Sequence, residues 1–118
     1  MKRLVSATIL VTLLGGCATT ASSPTESKDR AECREYARTL EHSGRMRAAC
    51  LISRGYTASY STNGGGVDVR SSAEPRPAPE AVARDLKACN DQSGLGYIGR
   101  QQFTRCMAPR GYVVRSGD

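Results

Sequence analysis

The 118-residue sequence predicts a mainly α protein: two disulfide-stapled antiparallel helical hairpins, joined by a flexible Gly/Ser/Pro-rich linker with at most a short β-hairpin. Three observations lead there. First, the frame Cys50-Leu-Ile-Ser-Arg-Gly-Tyr56 returns 56 residues later as Cys106-Met-Ala-Pro-Arg-Gly-Tyr112. Second, each copy has another Cys seventeen positions upstream, Cys33 and Cys89, so the repeated unit is C-x16-C-[LM]-x-x-R-G-Y. Third, apolar residues at helical spacing surround these Cys, with Gly-containing breaks near the middle of each copy.

In chain order, residues 1–16 come first and are set apart from the fold. Lys2 and Arg3 precede an apolar run from Leu4 to Leu14. A membrane-spanning helix takes about 20 apolar residues, so this run has the length of a signal peptide. Leu14-Gly15-Gly16-Cys17 follows. This stretch resembles the lipobox of bacterial lipoproteins, with Gly15 where the pattern prefers Ala. The resemblance covers about the first eighteen residues. It implies a diacylglycerol on the Cys17 thiol, cleavage before Cys17 and acylation of its amine. Ala18, where an Asp would mark inner-membrane retention in enterobacterial-type lipoproteins, resembles the outer-membrane class. The expected location is therefore the bacterial cell envelope, lipid-anchored at the outer membrane and facing the periplasm. Residues 17–27, rich in Ser and Thr, are expected to form a disordered tether.

The first hairpin is expected over 28–56. Cys33, Tyr36, Ala37 and Leu40 fall on one helical stripe; His42-Ser43-Gly44 breaks it; Met46, Ala49 and Cys50 resume it. Gly55 sits where a left-handed residue would end the helix, and Tyr56 and Leu51 form the apolar pair that accompanies such a cap. Arg54, Gly55 and Tyr56 thus read as a helix-cap motif, repeated as Arg110, Gly111 and Tyr112.

Residues 57–78 read as the linker. Asn63-Gly64 is a hairpin-turn dipeptide, with Tyr60, Val67 and Val69 in loose alternation. A lone two-stranded hairpin is marginal in water, and Ser71 to Pro79 has the composition of a stiff linker. The second hairpin is expected over 79–112, with Pro79 at its start, Val82, Leu86 and Cys89 on one stripe, a break at 93–99, and Phe103, Cys106 and Met107 on the return. Pro109 is expected to stop or kink the last helix by Ala108, which weakens the cap analogy for Gly111. Residues 113–118 read as a mobile tail.

With Cys17 assigned to lipid, four Cys remain, and four allow three pairings. Their spacing favours Cys33–Cys50 and Cys89–Cys106, because the midpoint of each pair falls at or beside a predicted break. Facing residues of antiparallel helices have Cα atoms roughly 3.5–5.5 Å apart, given axes 8–10 Å apart. That overlaps the range a disulfide needs. Many short bacterial exported proteins are similar in carrying a C-x(n)-C-M-x-x-[KR]-G-[YW] ending after a helical pair; the likeness covers 33–56 and 89–112 and implies a structural motif.

Removing residues 1–16 takes Lys2 and Arg3 and no acid, which lowers the formal charge from +6 to +4. Apart from Lys28 and Lys87 the remaining cations are Arg, which suits bidentate contact with phosphate or carboxylate. An envelope protein or an anionic envelope component is the expected partner, alongside the membrane reached through Cys17; nucleic acid is not expected in that compartment. Nothing in the spacing sets an oligomeric state. No cofactor and no metal site is expected, because zinc sites favour closely spaced Cys pairs and the nearest spacing here is seventeen. No catalytic residue is assigned: His42 is the lone His and no nucleophile motif occurs. The expected role is non-enzymatic, of interaction or structural type. Two alternatives stay open: an envelope enzyme of thiol-disulfide or cell-wall-directed type, and a small membrane-acting inhibitor or toxin.

Overall fold

The computed structural model describes residues 23–117. Residues 1–22, and with them Cys17 and the lipobox-like stretch, lie outside the described residues.

Helix α1 runs Pro24–Arg38. It begins four residues before the expected hairpin boundary, so 24–27 belong to the helix and not to a tether. The reason is local. Ser23 accepts the amide N–H of Glu26 on its hydroxyl at 3.1 Å, and Pro24 occupies the first helical position. Ser-Pro-Thr-Glu is a capping-box sequence, and Glu26 also pairs with Arg30 one turn on at 2.8 Å. After a turn at 39–42, helix α2 runs Ser43–Ser53. Helix α3 runs Pro79–Asp91 and α4 Gly96–Met107, so the second break is shorter than expected. Helix α4 ends at Met107 and continues as a single 3-10 turn, Ala108–Arg110, as the missing N–H of Pro109 requires.

The two disulfides are Cys33–Cys50 and Cys89–Cys106, each with Cα atoms 5.5 Å apart. Each closes a short loop and is worth about 3 kcal/mol in the chain-entropy account. Cys33, Cys50 and Cys89 are buried, and Cys106 is partly buried.

The largest departure from expectation concerns 57–78 and 113–118. Strand β1 is Ala58–Thr62, β2 is Gly65–Ser71 and β3 is Tyr112–Ser116. The expected hairpin at Asn63-Gly64 is present, because Thr62 pairs with Gly65. It is not a lone hairpin, however: β3, drawn from the expected tail, pairs antiparallel with β2, giving the order β1-β2-β3. Ala58, Val69 and Val114 form one cross-strand row toward the core, with Tyr60 and Val67 in the next. A third strand and an apolar face supply what a two-stranded hairpin lacks.

The remaining stretch, 72–78, is held at several points. Ser72 N–H donates to the Gly111 carbonyl at 2.8 Å, Ser53 Oγ to the Pro77 carbonyl at 2.9 Å, and Arg76 Nη1 to the Arg54 carbonyl at 3.0 Å. The last two tie the segment to the end of α2, and the Arg76 bond satisfies a carbonyl that the helix end leaves open.

One core joins both copies. Ile52 of α2, Val67 and Val69 of β2, Val82 and Leu86 of α3, and Phe103 and Met107 of α4 are fully buried in a single cluster with Cys33 and Cys89. Helix α2 packs against α3 as well as α1. The β1–β2 turn docks on the second copy: Asn63 N–H donates to Asn90 Oδ1 at 2.8 Å, and Asn63 Nδ2 donates to the Asn90 carbonyl at 3.1 Å. Gly64 lies against the first turn of α4. A Cβ on Gly64 would stand 2.6 Å from Arg100 N, and one on Gly99 would stand 1.8 Å from the Gly94 carbonyl oxygen.

Candidate functional site

The repeated Arg-Gly-Tyr has a definite geometry. In the first copy Gly55 is left-handed at φ 94°, its N–H donates to the Ile52 carbonyl at 3.0 Å, and Tyr56 N–H donates to the Leu51 carbonyl at 3.0 Å. Those two bonds complete a Schellman cap. In the second copy Gly111 is left-handed at φ 95° and donates to Ala108 at 3.1 Å, so the left-handed turn survives the Pro109 interruption.

Reversing the chain at Gly brings the flanking Arg and Tyr back onto the first helix of the same copy. Arg54 Nη1 donates to Asp29 Oδ1 at 2.7 Å, and the Tyr56 hydroxyl donates to Asp29 Oδ2 at 2.5 Å. Arg54 also pairs with Glu32. In the second copy Arg110 Nη1 donates to Asp85 Oδ1 at 2.8 Å, and the Tyr112 hydroxyl donates to Asp85 Oδ2 at 2.8 Å. Each Asp stands four residues before the first Cys of its copy, one helical turn away on the same face. The repeat is therefore D-x3-C-x16-C-x3-R-G-Y, and each carboxylate is clamped through both oxygens beside its disulfide. Asp29 and Asp85 were not singled out in the sequence, although they recur in register.

The electrostatics follow the contacts. The Tyr56 hydroxyl first and Arg54 second hold the Asp29 carboxyl below its ordinary value. The same bond to Asp29, then burial, pushes the Tyr56 phenol up. Burial raises the Tyr112 phenol strongly, and its bond to Asp85 adds to this. Both phenols thus stay protonated as donors, and Asp29 stays ionised as an acceptor. These groups are fixed in place and not poised to exchange a proton near neutral pH.

The other residues singled out in the sequence are dispersed. His42 is exposed in the turn before α2, left-handed at φ 57°, with no capping bond from its side chain. Cys33, Cys50, Cys89 and Cys106 are all in disulfides.

The most voluminous of the described concavities is an open groove of about 450 Å³. Ser27, Arg30 and Arg34 of α1, Arg47, Ala48 and Leu51 of α2, and Thr57 and Ser59 at β1 line it. Comparisons with known protein families, with curated proteins and with solved structures found no match.

Proposed function

We propose that the protein is a lipid-anchored module of the bacterial cell envelope, held to the outer membrane through Cys17 and facing the periplasm, with a non-enzymatic interaction or structural role. The observation that carries this reading is the use of its reactive groups. Both cysteine pairs are in disulfides that close one repeat each, and both Asp29 and Asp85 have their two oxygens engaged by Arg and Tyr. Disulfides of this kind persist in an oxidising compartment, which agrees with an exported chain. Exchange chemistry requires a thiolate to reach a sulfur; Cys33–Cys50 is buried at both ends, and in Cys89–Cys106 only Cys106 is partly exposed. That favours a structural disulfide over the thiol-disulfide enzyme alternative.

The anchor reading rests on Leu14-Gly15-Gly16-Cys17 and on the position of the fold relative to it. Helix α1 begins at Pro24, seven residues after Cys17. Lipidation there would hold the folded part within about 25 Å of the membrane surface, at most 3.6 Å per residue. Two or more acyl chains would make the anchoring stable. Metabolic labelling with a fatty-acid analogue is the test. The wild-type chain takes the label and Cys17→Ser does not; equal labelling of both would remove the anchor from the account.

A further inference from the structure

Cations are used unequally over the surface. Arg54 and Arg110 are consumed in the Asp clamps, and Lys87 pairs with Asp91 at 2.5 Å. The groove between α1, α2 and β1 is different. Among the described residues Arg30, Arg34 and Arg47 all line it, and no carboxylate does. Arg30 is held by Glu26, and among the described residues Arg34 and Arg47 form no ion pair. The same is true of Arg45, Arg70, Arg76, Arg84, Arg100, Arg105 and Arg115, so what sets the groove apart is that three guanidinium groups line it together. Arg30 and Arg34 are one turn apart on the same helix, a like-charge spacing that costs stability. Arg47 brings a third guanidinium from α2.

Arg34 and Arg47 also line an adjoining concavity along the α1–α2 seam with Arg38, which itself pairs with Glu35 at 3.4 Å. Between the cations stand the hydroxyls of Ser27, Thr57 and Ser59. The floor, Ala48 and Leu51, is almost fully covered and offers little apolar surface, 2% and 6% exposed. A small hydrophilic anion with several oxygens fits this lining better than an apolar ligand does. Planar guanidinium groups favour paired contact with phosphate oxygens.

We infer that this groove binds a phosphoryl oxyanion, with Arg34 and Arg47 as its charge-pairing residues and Arg30 beside them. The inference deepens the envelope-module reading and rests on it only for the source of the anion. With Cys17 in the membrane, Arg34 lies about 15 Å along α1 from Pro24, at 1.5 Å per residue. Phospholipid headgroups are then within reach, as are soluble phosphates of the periplasm.

The test uses the full chain in neutral detergent, followed by backbone amide spectra. Inorganic pyrophosphate is titrated against potassium chloride at equal ionic strength. The expected result is saturable shifts of residues 27–34 and 47–59 with pyrophosphate only, and binding weakened about tenfold or more in R34Q/R47Q. R84Q/R105Q, which removes the same charge from exposed positions on the second copy, keeps wild-type binding. Phosphatidylglycerol added to the micelles, against phosphatidylcholine, then assigns the source: shifts of the same residues identify a lipid headgroup, and pyrophosphate shifts alone identify a soluble phosphoryl ligand. Equal weakening in both double variants, or shifts that follow ionic strength alone, would overturn the site. Failure of Cys17 labelling would leave the pyrophosphate result standing, so the two readings fail separately.

Discussion

Tyr112 donates its hydroxyl to Asp85 at 2.8 Å, across 27 residues of chain. Tyr56 stands in the same relation to Asp29, also 27 residues away. The second Tyr is buried at 4% exposure, whereas the first is only partly buried. The same clamp therefore sits in two environments, and its energetic weight differs between them.

Replacing the buried hydroxyl should cost more. Tyr112→Phe leaves one oxygen of Asp85 without its donor and is expected to destabilise by about 1.5–3 kcal/mol, the range for a hydrogen bond to a charged group. Tyr56→Phe is expected to cost less, because the two carboxylates are similarly exposed but Tyr56 is only partly buried, so water more readily takes the place of its hydroxyl. Chemical denaturation of the two variants measures the ranking. A larger loss from Tyr56→Phe would mean that burial does not set the strength of the clamp.

The pH dependence has a definite sign on each side. The Tyr112 phenol is raised in the fold, so its contribution is complete below the unfolded value of about 10 and shrinks as pH rises above it. Asp29 is lowered in the fold, so its contribution is present above the unfolded value near 3.9 and is lost as pH falls through the folded one. Stability should thus fall at both extremes. Tyr112→Phe should flatten the alkaline limb and Asp29→Asn the acid limb, as read by denaturation midpoints from pH 2 to 11. An unchanged alkaline limb in Tyr112→Phe would assign that limb to other groups.

Much of this was legible in the sequence, and the misses have physical causes. The disulfide pairing followed from equal spacing about central breaks, and the left-handed Gly55 from its place after a helical stripe. The clamps were missed because an Asp on a charged helix face looks like any solvated acid. The signal was its recurrence four residues before the first Cys in both copies. The helix start at Pro24 was hidden in a Ser/Thr-rich stretch, although Ser23-Pro-Thr-Glu26 carries a capping box. The sheet was underestimated because composition was weighed above alternation. Gly, Ser and Pro in 57–78 suggested a loose linker, while Val67 and Val69 face the core and Tyr112 to Ser116 supplies the third strand.

Close packing of Gly99 against the α3–α4 loop and the β1–β2 turn gives a prediction that composition alone would reverse. Gly99 lies inside α4, where Ala is ordinarily the better helix former. A Cβ there would meet the Gly94 carbonyl oxygen at 1.8 Å and Gly64 Cα at 3.3 Å, both backbone atoms. Gly99→Ala is expected to destabilise by about 1–3 kcal/mol, as overpacking does. A thermal melt of the variant at or above the wild-type midpoint would show that the α3–α4 loop at Gly94 does not pack this closely on Gly99.

The central structural claim is that each copy is stapled locally while both share one core. A specific protease site inserted between Pro75 and Arg76, cut in the oxidised protein, tests both halves of it. The account predicts that the cut halves stay together on native size exclusion, held by the Ile52, Val67, Leu86 and Phe103 cluster and the β2–β3 pairing. It also predicts that they separate in denaturant without reductant, because Cys33–Cys50 and Cys89–Cys106 leave no covalent link across the cut. Halves that part under native conditions would contradict the shared core, and halves that stay joined in denaturant until reduced would contradict the local disulfides.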